Sequence, residues 1–215
     1  MSERAEARRS YHSPRREAQA AATRREILDA AGRLFERQGY AATTMAAIAA
    51  EAGVSLKTVY VAFETKPRVL QGLWNLQLRG DEADVPVGER AWYRELLDEP
   101  DPERQLRTNA HNARVGKERF GGVLEVIRGA APGDPEIAVL WARIQSDYRD
   151  NQRAIVASIA AKDALAPGLD VEHAADVLWT LNNPDLWQLL VGVRGWTADE
   201  YERWSADTAV AQLLG

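Results

Sequence analysis

Leu56, Lys57, Tyr60 and Val61 fall on one side of a short run whose other side holds Val59 and Phe63, since residues three and four apart share a face of a helix. With Val59 and Phe63 turned inward, Ser55 and Ala62 also turn that way, and the first four face out. A helix face that meets water is usually charged, yet Lys57 is the only charged residue of the four. The set suits the major groove of DNA, where aliphatic groups meet thymine methyls and a lysine meets a phosphate or a guanine edge. The other reading is a small amphipathic helix covered by another part of the chain.

To present that face the chain has to hold two short helices at a fixed angle. The first opens at Thr43 or Thr44 and turns Met45, Ile48, Ala49 and Ala52 to one side. Gly53 ends it, at a position where the backbone usually turns left-handed and glycine pays no steric penalty. Ser55 is placed as the N-cap of the second helix. Val54 before that cap and Val59 four residues after it are spaced as a hydrophobic staple. The expected unit is a helix-turn-helix over residues 43 to 63. Upstream, Thr23-Arg24-Arg25-Glu26 reads as a capping box opening a helix with Ile27, Ala31, Leu34 and Phe35 on its buried side and an end near Gln38-Gly39.

Residues 23 to 70 resemble the N-terminal domain of the TetR family of bacterial transcriptional regulators. The resemblance lies in the amphipathic first helix ending in Gly39-Tyr40, Thr44 with Ile48-Ala49, Ala52-Gly53-Val54-Ser55, Thr58-Val59-Tyr60, Phe63, Lys66 and Leu70. It implies that Thr44, Tyr60 and Lys66 meet phosphates and that Met45, Leu56 and Lys57 lie nearest the bases. Ser55, Thr58 and Val61 complete the expected DNA-facing set. The chain departs from the family at Val61 and Ala62, where members often carry bulky or polar aromatic residues.

Composition supports a basic head on an acidic body. The net charge is −5, but residues 1–66 carry 11 Lys or Arg against 8 Asp or Glu, whereas residues 67–215 carry 16 against 24. One end can meet phosphate while the other repels it. There is no cysteine, which excludes disulfides and thiolate chemistry and fits a reducing compartment. No apolar run approaches the roughly 20 residues of a membrane span, and the charged N-terminus lacks the apolar centre of a secretion signal. A cytoplasmic protein without a membrane role is expected. Phosphate-binding glycine loops, HExxH and GxSxG are absent, and His12, His111 and His173 have no metal-ligand spacing. The reading is therefore a non-enzyme without cofactor or metal.

The sequence predicts an all-α protein: a flexible arginine-rich arm over 1–22, a helix-turn-helix DNA-binding domain over 23–66, and a helical bundle over 67–215. Thr65, Asp101-Pro102, Asp134-Pro135, Asp170 and Thr197 mark helix starts, with Trp196 and Tyr201 placed as a staple around the last. Three helices of the bundle hold polar residues inside apolar stripes: Lys117 near Phe120, Asn151 and Gln152 near Trp141 and Tyr148, and Asn182 just before Pro184. Convergent polar groups in an aromatic lining describe a small-molecule pocket. Alternatively, Lys117 reaches water, Asn182 satisfies backbone groups freed by Pro184, and the aromatics are core. The resemblance implies that this body binds an effector. Leu186, Leu189, Leu190, Val193, Tyr201 and Trp204 give the last two helices more apolar surface than a hairpin needs, and the resemblance implies a dimer there. The expected function is a homodimeric repressor that binds a double-stranded, palindromic operator and releases it on binding a small apolar or aromatic effector. The alternative is a helical ligand- or partner-binding sensor with no DNA role.

Overall fold

Every long segment between glycine and proline breaks is helical in the computed structural model, which describes residues 14–79 and 87–214. The elements are α1 (Pro14–Ala42), α2 (Met45–Glu51), α3 (Leu56–Phe63), α4 (Lys66–Arg79), α5 (Ala91–Asp98), α6 (Pro102–Ala130), α7 (Pro135–Ala160), α8 (Val171–Leu181), α9 (Pro184–Trp187) and α10 (Ala198–Leu213). Among the described residues no strand forms, and no single helix is long and apolar enough to cross a membrane. The chain divides into two compact units between Val69 and Leu70.

In the first unit, Ile27, Leu28, Ala31, Leu34 and Phe35 of α1 are buried, as are Ile48, Ala49, Val59 and Phe63 of α2 and α3. Two arginines of α1 hold α2 from outside, with Arg33 Nε at 3.0 Å and Arg37 Nη2 at 3.1 Å from the Glu51 carboxylate. Arg24 donates to the Ala62 carbonyl and lies over the Phe63 ring, 4.2 Å from its centroid. Two expectations fail in α1. The helix starts at Pro14, so Thr23 is not its cap, and residues 15–22 of the expected arm are helical and exposed. Arg-Arg-Glu-Ala-Gln-Ala-Ala-Ala consists of strong helix formers, and that preference extends the helix without any burial. At its other end α1 leaves helical geometry at Gly39 (φ 76°, ψ 170°) and resumes to Ala42. Residues 1–13 of the expected arm lie outside the described residues.

In the second unit, Tyr93, Leu96, Leu106, Ile155, Val156, Ile159, Leu178, Leu181 and Leu213 form one core. Helix α8 packs along α7, and α10 along α6. The expected proline caps are present: Asp101 accepts from the amides of Glu103 and Arg104, and Asp134 from those of Glu136 and Ile137. Thr197 and Glu200 form the expected capping box. The segment from Val171 is more broken than its stripe suggests, stopping at Asn182, restarting at Pro184 and passing into a π-helical turn over Gln188–Val193. The expected Trp196–Tyr201 staple is replaced by an edge-on pair of Trp196 with Trp204, centroids 5.8 Å apart.

Tyr201 is fully buried, and its hydroxyl donates to the Leu181 carbonyl at 2.6 Å. This corrects the expectation that it faces a partner: the α8 break leaves carbonyls inside the core, and a buried acceptor needs a donor. Tyr201→Phe removes that donor at nearly constant volume. It should cost about 1–3 kcal/mol in chemical denaturation with the native helical content unchanged.

Candidate nucleic-acid interface and cavity

Thr44 caps α2 by accepting from the Ala47 amide at 3.1 Å, and Ser55 caps α3 by accepting from the Thr58 amide at 3.1 Å. Between them Gly53 takes φ 68°, a conformation that an L side chain resists. The two helices are bent by 112°, within the ~90–120° of helix-turn-helix units. Val59 and Phe63 are buried at 0% and 4% exposure, while Leu56, Tyr60 and Val61 are exposed at 41%, 48% and 77%. Lys57 and Thr44 are exposed beside them. One surface thus carries apolar groups, a phenol and an ammonium, projected by a helix that is capped, staked on its own core and stopped at Glu64.

Three residues sit differently from expectation. Met45 is 8% exposed and packs into the core of the unit, since it begins the same stripe as Ile48 and Ala49, so its side chain is not offered to bases. Ser55 is exposed rather than inward, because its hydroxyl serves the cap and lies 2.8 Å from that of half-buried Thr58. Lys66 is half-buried: its ammonium donates to the Tyr40 carbonyl at 2.8 Å and the Thr43 carbonyl at 3.0 Å, and sits 4.0 Å from the Tyr40 ring centroid. These bonds tie the start of α4 to the end of α1.

The second unit encloses a cavity of about 480 Å³. Lys117, Phe120, Tyr148, Asn151 and Gln152 line it as the stripes suggested, together with Trp74, Trp92, Tyr93 and Asn109, which periodicity had not singled out. Trp141 and Asn182 are not in the lining. Trp141 shares a side of α7 with Tyr148 but lies two turns away, and helical spacing says nothing of how far a cavity runs along an axis. Asn182 sits behind the wall, 1% exposed, donating to Gln152 Oε1 at 3.3 Å while its backbone carbonyl accepts from the Tyr148 hydroxyl at 2.7 Å. Gln152 Oε1 also accepts from Asn109 Nδ2 at 2.9 Å. Gly116 lets the Phe120 ring lie against α6, since a Cβ there would meet ring carbons at 2.8 Å. The ring in turn meets Trp74 edge-on, centroids 5.3 Å apart.

Lys117 is 5% exposed, and desolvation pushes its pKa down to about 7. Burial also raises the Tyr93 phenol to about 12 and moves Tyr148 and Tyr201 upward. The unfolded chain holds a lysine proton that the folded chain has lost between pH ~7 and the ordinary lysine value, so stability rises with pH in that window, by up to ~1.4 kcal/mol per unit. Raised tyrosines oppose this only above pH ~10, where unfolded phenols ionise first. Lys117→Met should abolish the rise in urea midpoint between pH 7 and 9 and leave the variant more stable than the wild type at pH 7.

Residues 27–72 match the profile of the family described as "Bacterial regulatory proteins, tetR family". The probable HTH-type transcriptional regulator ArpR of Pseudomonas putida is 29% identical over 189 residues, spanning 81% of this chain and 87% of that protein. Among solved structures, NalD of Pseudomonas aeruginosa, the secondary repressor of the MexAB-OprM multidrug efflux pump, superposes with a TM-score of 0.71 at 20% identity, covering 92% of this chain and 98% of that one. The SmeT–triclosan complex superposes with a TM-score of 0.66 at 19% identity, covering 90% and 92%; SmeT represses the SmeDEF multidrug efflux pump of Stenotrophomonas maltophilia. Residues 27–72, with their capped helix-turn-helix, thus match the DNA-binding domain of the tetR family, and the chain as a whole is similar in sequence and fold to transcriptional regulators of that family.

Proposed function

We propose that the protein is a cytoplasmic homodimeric repressor that holds a two-fold operator through α3 and releases it when a small apolar or aromatic molecule fills the cavity of the second unit. The observation that carries the DNA half is the exposed face of α3, with Leu56, Lys57, Tyr60 and Val61 held outward over buried Val59 and Phe63. The repressor half is supported by NalD and SmeT, both repressors, and the ligand half by the SmeT complex with triclosan. Helix α4 gives a route between the two: Lys66 holds its first turn to the carbonyls of Tyr40 and Thr43, and Gln71, Trp74, Asn75 and Leu78 of the same helix line the cavity. A ligand that prefers one position of α4 biases the state of the reading unit. Two recognition helices must then sit about 34–36 Å apart, one turn of DNA.

Within this reading, Leu189 and Val193 are the apolar groups of the α9 region most open to a partner, at 51% and 70% exposure. Leu186, Leu190 and Trp204 are half-buried around them.

Lys57→Ala should weaken operator binding: a loss equal on operator and random duplex, with the slope of log affinity against log salt lowered by about one, marks a phosphate contact, and a loss confined to particular operator positions marks a guanine edge. Leu56→Ala should instead shift base preference at particular operator positions by about 1–3 kcal/mol. Mobility shifts over a salt series with a mutated operator set measure both, and a uniform loss for Leu56→Ala counts against direct reading. A chain that shifts no genomic fragment at low salt is a ligand sensor without a DNA role.

Placing Asp at both 189 and 193 buries charge in the proposed interface. Sedimentation should then give monomers with near-native helicity, while a wild type that is monomeric at micromolar concentration defeats the dimer.

A further inference from the structure

Among the described residues the buried ammonium of Lys117 has no counterion, and desolvation alone shifts its titration. Its hydrogen bond to the Ala113 carbonyl of its own helix is long, at 3.5 Å, and the Tyr201 ring centroid is 5.2 Å away. The nearby carboxylates of Glu118, Glu202 and Asp147 pair with Arg114 and Arg143 instead, and no charged neighbour among the described residues acts on Lys117. Desolvating a cation without a partner costs more than a single cation–π contact returns. The fold gains nothing from this ammonium that a methionine of similar volume would not supply.

Among the described residues, cations outnumber carboxylates on the rest of the wall. Arg90, Arg119 and Arg143 also line the cavity, against Asp147 and Asp150, and Arg143 already lies 3.6 Å from Asp147. In the same lining, Trp74, Trp92 and Phe120 offer flat apolar surface. Behind the wall, the Oδ1 of buried Asn182 has no hydrogen-bond partner among the described residues, which leaves the neighbouring amide network able to reorient toward a donor.

We propose that the cavity takes an acidic ligand, an aromatic or fused-ring body with one carboxylate or phenolate, whose anionic oxygen pairs with Lys117 Nζ. This rests on the reading of the cavity as the effector site and narrows its chemical class. The pair forms in a dry setting, where a charge-assisted hydrogen bond is about twice as strong as a neutral one. A neutral isostere leaves the ammonium as costly as it was. The ring body stacks among the tryptophans and Phe120, so selectivity comes from the anion and affinity from the rings.

The test compares matched probes on the full chain by calorimetry at pH 7: benzoate with benzyl alcohol, 2-naphthoate with 2-naphthylmethanol, and 9-anthroate with 9-anthracenemethanol. The wild type should bind the acid of at least one pair tenfold or more tighter than its alcohol. Lys117→Met and Lys117→Gln should erase that preference while keeping alcohol affinity within about threefold, with circular dichroism confirming the fold. Equal affinity for acid and alcohol in the wild type, or a preference that survives both variants, overturns the ion pair while leaving an effector cavity. Failure of every probe to bind overturns the cavity reading and this inference with it.

Discussion

One amide oxygen joins three helices of the second unit. Gln152 Oε1 on α7 accepts from Asn109 on α6 and from Asn182 at the end of α8. The constraint behind this arrangement is that α8 stops inside the protein. Helix ends leave carbonyls without partners, and in a core they must be met by side chains. Tyr148 supplies one donor to Asn182 and Tyr201 another to Leu181, so the two tyrosines that an apolar stripe suggests as lining or interface are in part a helix cap assembled from α7 and α10. The cavity lies beside that polar bracket, which keeps its wall from collapsing inward.

Much of the reading unit was legible in the sequence because its signals are local. A cap, a glycine with positive φ and a second cap lie within a dozen residues, and Thr44, Gly53 and Ser55 perform the roles their types suggest. The outward set of α3 follows from two buried residues and helical spacing. Met45 shows the limit of that logic, since a family position and a buried stripe made opposite demands on one side chain and the stripe prevailed. Lys66 shows another: a lysine near a turn looks like a phosphate contact, and nothing in its spacing reveals two carbonyls left by the kink at Gly39.

In the second unit the helix starts were legible and the pocket only in part. Lys117, Phe120, Tyr148 and Asn151 interrupt or enrich stripes that face the cavity. Trp74 and Trp92 line it from helices whose stripes looked like ordinary core, and Asn109 from a turn of α6 two turns before Lys117, because a cavity is a property of how helices are spaced. The start of α1 failed for a different reason. A capping motif at Thr23 competed with helix-forming residues upstream, and Thr23 simply became an interior residue.

The Lys66 contacts also set an energy scale. A helix rises about 1.5 Å per residue, so a slip of α4 by that step directed along these bonds of 2.8 and 3.0 Å would carry them beyond hydrogen-bonding reach unless the lysine side chain followed. Each such bond to a charged group is worth about 1.5–3 kcal/mol, comparable to the ~1–3 kcal/mol by which two binding sites typically influence each other. The lysine thus behaves as a latch with a finite threshold. Small displacements of α4 leave it closed, and under the proposed coupling a displacement that opens both bonds would cost as much as or more than one site typically transmits to another, which would favour two discrete positions of the helix over a graded response.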